Sequence, residues 1–447
     1  MSFPKVLIIN QPFVNNTGGG ITLSNLFSNW KGNKLAVACS GYALTPDMDF
    51  SVCNNYYQLG SEERKWMFPL NFFSRKYYSG KVIFTDNATK NIVKNKAKTR
   101  GKIIDKYVYP LLDFAGFSNF MVRTKLSSKF CNWIDEFSPD VIYAQASSLD
   151  DILFCLEIKR YTNKPFIFHM MDDWLSILDR KGVFVKYWRD KADKKFRVLL
   201  ENTDVAMSIS DYMASEYKRR YDKEFITFHN PIALDFWKKD QRQTYQLKET
   251  PTILYAGRIG LGIDDSLKMI AHAVDKVNKD FNQKVKFVIQ TADVPGWIYD
   301  FKNVEHQNFV AYENLPKVFA ETDFLILPYD FHNASIKFIK YSMPTKAPEY
   351  MASGTPIIIF APQDTALVQY AQRYQWAIIV TENSVDKLAD KLVSLLKNKR
   401  LRQEIAQEAK TIAAEKHDVN KVALDFQNII CSTVRNSPQH LKDVFTN

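Results

Sequence analysis

Long apolar runs are missing from this 447-residue chain; those present are short, such as "FLIL" at 324–327 and "PIIIFAP" at 356–362. A bilayer-spanning helix needs about 20 such residues, so helical membrane spans are excluded. The opening "MSFPKVLIINQPF" has no basic n-region and too short an apolar core for a secretory leader. It reads instead as a first β-strand that starts almost at once. The five cysteines, Cys39, Cys53, Cys131, Cys155 and Cys431, form no CxxC pair. An odd, unpatterned set argues against a disulfide frame or a zinc site and fits a reducing compartment. The expectation is therefore a cytoplasmic protein. Low-complexity tracts and fixed short repeats are also lacking.

What is present is ordinary globular material, 46% hydrophobic and 24% charged, with length for about two or three domains. The net charge of +11 is uneven: residues 61–130 carry 15 Lys/Arg against 5 Asp/Glu. The same stretch holds Trp66, Phe68, Phe72, Phe73, Tyr77, Tyr78, Phe84, Tyr107 and Tyr109. Cations interleaved with aromatic rings suit an anionic membrane surface. They also suit single-stranded nucleic acid, the least favoured reading. The plain alternative is a solvated basic face whose aromatics belong to the core.

Along the chain, short apolar runs alternate with amphipathic ones. Strands are predicted at 5–9, 34–39, 140–145, 165–170, 205–210 and 225–230, with helices near 19–30, 122–137, 148–161, 186–202 and 211–221. This alternation is that of a doubly wound parallel sheet. Residues 61–112 fit it poorly and read as an insertion. The polar, proline-bounded segment 230–251 reads as a linker. Strands then recur at 251–256, 284–290, 323–329, 356–361 and 376–380, with helices near 264–279, 346–353 and 384–416. The predicted organisation is two α/β domains, 1–232 and 233–416, and a terminal helical segment, 417–447.

Ligands of open parallel sheets bind at the carboxyl ends of strands, so the residues following each strand matter most. After the first strand come Gly18, Gly19 and Gly20, ahead of a helix expected to begin near Ile21. Either this is a flexible turn or it approaches a phosphate or sugar through a helix N-terminus. It is neither GxGxxG nor a Walker loop. His169, Asp172 and Asp173 follow "PFIF"; they could serve a polyol, although a histidine satisfied within the core is the competing reading. After "PTILYA" stand Gly257 and Arg258, and arginine suits a phosphate. In "YSMPTKAPEYMASGTPIIIF", Thr345 and Lys346 open a helix that Gly354 closes, with Glu349 one turn in. A helix N-terminus beside a carboxylate reads as a phosphate cradle next to a diol clamp, or as no more than a surface helix glutamate.

"KAPEYMASGTPII" resembles the signature of retaining GT-B glycosyltransferases, the group that builds bacterial polysaccharides and glycolipids. "GGG" after the first strand, "FIFHMMDD", "SISDYMASEYKRRY" followed by "HNPI", and "YAGRI" agree with that family in position and order. The resemblance covers essentially the whole chain, residues 61–112 least. It implies two Rossmann-like domains facing a central cleft. The first would take the acceptor, with 61–112 as a membrane-contact insertion, and the second the donor. The terminal segment 417–447 would pack back toward the first domain.

It further implies that Arg258, with Gly257, Thr345 and Lys346, meets the donor diphosphate, and that Glu349 holds the ribose. His169 would touch the transferred sugar or diphosphate. The Gly18–Gly20 loop would approach the diphosphate or acceptor, and Asp172 or Asp173 would face the acceptor. No metal or other cofactor is implied. The donor would be a nucleotide-diphospho-sugar; the acceptor would be a glycan or a lipid-linked acceptor at the inner face of the cell membrane. Two departures stand out. Ile263 replaces a lysine common in the family, leaving Lys346 or Lys268 to supply the charge. Tyr341 replaces a glutamate. A GT-B-fold sugar-nucleotide epimerase, a non-catalytic nucleotide-sugar-binding partner and a Rossmann oxidoreductase are the competing readings.

Overall fold

The computed structural model describes residues 3–14, 18–41, 43–44, 48–66, 68, 71, 76–82, 106–107, 109–114, 122–178 and 184–436. Much of the 61–112 segment therefore lies outside the described residues. The chain forms two units: residues 1–209, 214–228 and 423–447, and residues 210–213 and 229–422.

The strands of the first unit are β1 (Val6–Ile9), β2 (Leu35–Ser40), β3 (Tyr56–Leu59), β4 (Arg64–Trp66), β5 (Gly80–Val82), β6 (Val122–Thr124), β7 (Val141–Ala144), β8 (Phe166–Met170), β9 (Val205–Ser208) and β10 (Phe225–Thr227). Eight of them make one sheet in the order β10-β9-β8-β7-β1-β2-β3-β5, parallel except for the edge strand β5. Starting at β3, the order 3-2-1 followed by the later strands is doubly wound, with its switch point between β1 and β7. β4 and β6 pair separately and antiparallel. The central strands β1 and β7 are buried at every position, as required when helices cover both faces of a parallel sheet.

The helices of this unit are α1 (Gly18–Leu26), α2 (Tyr109–Phe114), α3 (Ser128–Phe137), α4 (Leu149–Thr162), α5 (Trp174–Ile177), α6 (Val185–Glu201) and α7 (Asp211–Tyr221), the last beginning within the second unit's residues. Ser127 and Ser148 cap α3 and α4, accepting from Phe130 N and Asp151 N, each at 3.1 Å. The helix predicted over 122–137 thus splits: β6 comes first, and the serine sets where the helix starts.

The second unit holds β11 (Thr252–Ala256), β12 (Lys286–Gln290), β13 (Val304–Gln307), β14 (Phe324–Pro328), β15 (Ile357–Phe360) and β16 (Ile378–Val380). They form one all-parallel sheet in the order β13-β12-β11-β14-β15-β16, the 3-2-1-4-5-6 order of a Rossmann sheet. Its helices are α8 (Leu234–Lys238), α9 (Asp264–Asp280), α10 (Leu315–Glu321), α11 (Asn333–Ile339), α12 (Lys346–Ser353), α13 (Ala366–Tyr374), α14 (Val385–Lys397), α15 (Lys399–Lys416) and α16 (Val419–Arg435), whose later residues group with the first unit. One face of the sheet packs Ile253, Phe287, Ile326 and Ile358 against Leu267, Val274 and Leu392.

Two expectations change here. The segment read as a linker is packed structure: Trp237 on α8 is wholly buried and stacks on Phe319. Beyond it, the Arg242 guanidinium pairs with the buried Asp323 at 3.2 Å. The single helix predicted over 384–416 breaks at Asn398, whose side chain accepts from Leu401 N at 3.0 Å to start α15. In the first unit, Phe426 of α16 lies wholly buried with its ring edge-on to Phe27, Tyr143 and Phe228. Among the described residues no helix is long and apolar enough to cross a membrane.

Candidate functional site

In the second unit, four of the residues singled out in the sequence meet at the carboxyl end of β11, beside the switch point between β11 and β14. β11 runs out through Ala256 into Gly257 and Arg258. α12 is fastened across this end. The Tyr350 hydroxyl accepts from Ala256 N at 3.0 Å, and Lys346 Nζ donates to the Ala256 carbonyl at 2.7 Å. The ammonium also stands 4.4 Å from the centre of the Tyr255 ring. Gly257 is required by this packing, since a Cβ there would fall 1.7 Å from Lys346 Nζ. Two residues 89 positions apart in sequence thus share one small volume.

Arg258 is exposed, its guanidinium donating to the Leu261 carbonyl at 3.3 Å and lying 5.9 Å from the Phe338 ring centre. Glu349, one turn along α12, accepts from the Tyr312 hydroxyl at 3.3 Å. Burial pushes the Glu349 carboxyl up to about 7, with Lys346 and the Tyr312 hydroxyl opposing. Burial likewise brings the Lys346 ammonium down to about 7, with Glu349 opposing and Arg258 adding to the shift. Thr345 makes no side-chain cap to α12, and its carbonyl accepts from Asn230 Nδ2 at 3.1 Å. Gly354 closes the helix with φ 74°, the left-handed conformation that glycine adopts freely.

The residues at the two departures have definite places. Ile263 is buried in the core under α9, and Lys268 lies exposed on that helix. Between these two lysines, Lys346 is the one packed against Gly257. The N-terminus of α9 is already served, because buried Asp330 accepts from Ser266 N at 2.8 Å. Tyr341 is buried, its ring beside Tyr212 at 5.4 Å and its carbonyl accepting from Ser210 Oγ at 2.7 Å.

The first unit holds the remaining candidates. Gly18, Gly19 and Gly20 are the first turn of α1 rather than a turn ahead of it, and the Gly18 carbonyl accepts from Thr22 Oγ1 at 2.8 Å. The Gln11 amide lies against Gly19. His169, the penultimate residue of β8, has no exposed surface; its Nδ1 lies 2.6 Å from the Tyr143 hydroxyl, which Gln145 Nε2 also reaches at 3.3 Å. Burial brings the imidazole down to about 3, so the ring is neutral at physiological pH. Asp173 is committed to structure. It accepts from the Tyr217 hydroxyl at 2.7 Å and Ser176 Oγ at 2.6 Å, and pairs with Arg220 at 3.2 Å. Asp172 beside it is exposed.

Sequence reasoning missed Tyr255, Tyr312 and Tyr350, which hold the lysine, the glutamate and the strand end. Tyr255 and Tyr350 lie inside "YAGRI" and "KAPEYMASGTPII", but nothing in those motifs marks them as supports, and Tyr312 lies outside every motif. Among the described residues no group of three or more His, Cys, Asp or Glu side chains could hold a metal ion.

Comparison with solved structures shows the fold. Sucrose-phosphate synthase from Thermosynechococcus elongatus superposes with a TM-score of 0.61 at 10% identity, over 97% of this chain and 99% of that one. A glycosyltransferase from Rickettsia africae gives 0.57 at 10% identity, over 98% and 100%. The Anabaena protein HepE in complex with UDP gives 0.55 at 12% identity, over 96% and 100%. No curated protein sequence matches significantly. The chain has the GT-B fold of two Rossmann-like units, and residues 250–398 of its second unit match the family model described as Glycosyl transferases group 1.

Proposed function

We propose that the protein is a glycosyltransferase. It would move a hexosyl or related sugar from a nucleotide-diphospho-sugar to a hydroxyl of a glycan or lipid-linked acceptor, with retention and without a metal. The observation that carries this reading is the convergence of Arg258, Lys346 and Glu349 at the carboxyl end of β11, where Rossmann sheets take nucleotides. In this reading Arg258 and Lys346, with the N-terminus of α12, face the diphosphate and stabilise the charge that develops on the leaving group. Glu349 accepts from the ribose hydroxyls. The family match over 250–398 and the shared fold support it, and HepE's UDP makes UDP the first nucleotide to try.

A role in bacterial surface polysaccharide or glycolipid synthesis, at the cytoplasmic face of the membrane, belongs to the same proposal. The cation excess of 61–130 supports it, as do the exposed Phe68, Tyr107, Leu111 and Phe114 within that stretch. Binding to anionic vesicles that weakens with salt is the expected result; binding indifferent to salt, or none, counts against it.

Packed Tyr341, where the resemblance places a carboxylate, favours one second reading: a non-catalytic partner that binds the nucleotide-sugar. Measuring nucleoside diphosphate release separates the readings. Acceptor-dependent release that disappears in Arg258→Ala supports transfer. Donor consumption without acceptor points to an epimerase, and binding without turnover to the partner role.

A further inference from the structure

Among the described residues, one side chain from outside its own helix holds Glu349. Tyr312, in the turn Tyr312–Asn314 that follows β13, donates its hydroxyl to Glu349 Oε1 at 3.3 Å. Its ring lies parallel to Phe236 of α8, centroids 5.2 Å apart and planes within 1°. Trp237, next to Phe236, meets the Tyr312 ring edge-on at 6.2 Å and is itself wholly buried against Phe319. The brace is therefore anchored in the core, although Tyr312 is 51% exposed. A ring packed on so little of its surface contributes modestly to the core, whereas its hydroxyl is aimed at the site's carboxylate.

We infer that Tyr312 is a positioning residue for Glu349. Braced on Phe236, its hydroxyl fixes one carboxylate oxygen and leaves the other for the ribose of a nucleoside diphosphate. This rests on the reading that Glu349 takes the ribose.

The chemistry is consistent in its details. An ionised carboxylate offers about four acceptor positions on two oxygens, so one donor from the protein leaves room for a vicinal diol. Burial and the neighbouring Glu349 carboxylate raise the Tyr312 phenol, so it keeps its proton and remains a donor. The groups facing Glu349 are Lys346 and Tyr350 on its own helix and Tyr312 from across the site, with Arg258 acting on Lys346. The Tyr312 hydrogen bond favours the ionised carboxyl against the burial that disfavours it. The brace comes from α8, which opens the segment that sequence alone presents as a linker.

The test is calorimetric titration of the full chain with UDP, GDP and dTDP between pH 6 and 9, comparing wild type, Tyr312→Phe and Glu349→Ala. Thermal melting of each variant checks the fold. Tyr312→Phe keeps the ring stack and loses only the hydroxyl. The expected result is binding weaker by about tenfold or more at pH 7, as for loss of one hydrogen bond to a charged acceptor. The deficit should close toward pH 9, where the carboxyl ionises unaided. Lys346 is common to both proteins, so the ratio of their affinities reports Glu349. Affinity equal to wild type at pH 7 overturns the positioning role while the nucleotide reading stands. A folded wild type that binds none of the three nucleotides, or a Glu349→Ala variant that binds as well as wild type, overturns the nucleotide reading and this inference with it.

Discussion

Replacing Gly257 with alanine places a methyl carbon 1.7 Å from Lys346 Nζ and 3.0 Å from both Lys346 Cε and the Tyr255 hydroxyl. The lysine is flexible, so the ammonium leaves rather than the helix. It then gives up the 2.7 Å bond to the Ala256 carbonyl and its place over the Tyr255 ring. A hydrogen bond from a charged donor contributes about 1.5–3 kcal/mol. Regained hydration of the ammonium offsets part of this, and its downward shift to about 7 shows that its present place is poorly solvated. A net loss of about 1–2 kcal/mol follows, lowering the melting temperature of a unit this size by about 3–6 °C. Gly257 does not have a left-handed φ, so alanine is otherwise tolerated there. In a Lys346→Ala background the methyl group has room, and the same substitution becomes neutral or stabilising by up to about 1 kcal/mol. Calorimetric melting of the two single variants and the double variant closes the cycle. Equal losses in both backgrounds, or no loss in the wild-type background, would refute the claim that Gly257 exists to seat Lys346.

Other expectations concern pH and buried polar groups. Glu349, raised to about 7 from an ordinary 4.5, keeps a proton in the folded chain that the unfolded chain has lost, so its contribution to stability falls as pH rises between those values. Lys346, lowered to about 7, does the reverse above that pH, and the stability of the second unit should pass through a minimum near neutrality. Glu349→Gln removes the acid-side decline, and an unchanged urea-unfolding profile between pH 4.5 and 7 would contradict the assignment. Tyr143→Phe takes away the hydroxyl that both His169 and Gln145 reach, at an expected cost of about 1–3 kcal/mol in denaturant unfolding; a silent variant would mean that His169 is satisfied elsewhere. Arg242→Met leaves Asp323 buried without its cation and should cost about 3 kcal/mol by the same measure, partly recovered by adding Asp323→Leu; no loss would argue against the buried pair.

The alternation of apolar runs is local information, and it was enough to place most strands and the existence of two Rossmann-like units. The misses have physical reasons. β13 reads "VEHQ", an edge strand with only Val304 buried, and so carries no apolar run. α8 was hidden because Trp237 stands among charged residues, though a tryptophan in such a segment was itself a sign of packing. The Ser127 and Asn398 caps were readable as helix starts in principle, but amphipathic periodicity ran straight through both. In the site, Arg258, Lys346 and Glu349 belong to motifs and were legible. The fit of Lys346 into the space left by Gly257, and the brace from Phe236 through Tyr312 to Glu349, join distant positions that no spacing rule connects.

The central claim, a nucleotide-sugar site at the end of β11, is tested most directly by one binding measurement. Wild type, Arg258→Ala and Glu349→Ala are titrated against UDP-, GDP- and dTDP-sugars. Arg258 is exposed, and its side chain makes one long hydrogen bond to the Leu261 carbonyl and a distant approach to the Phe338 ring, so its removal should change the melting temperature little. The account predicts selective binding of one donor by wild type, lost in both variants while the fold is kept. A folded wild-type protein that binds no donor, or variants that bind as well as wild type, would contradict it.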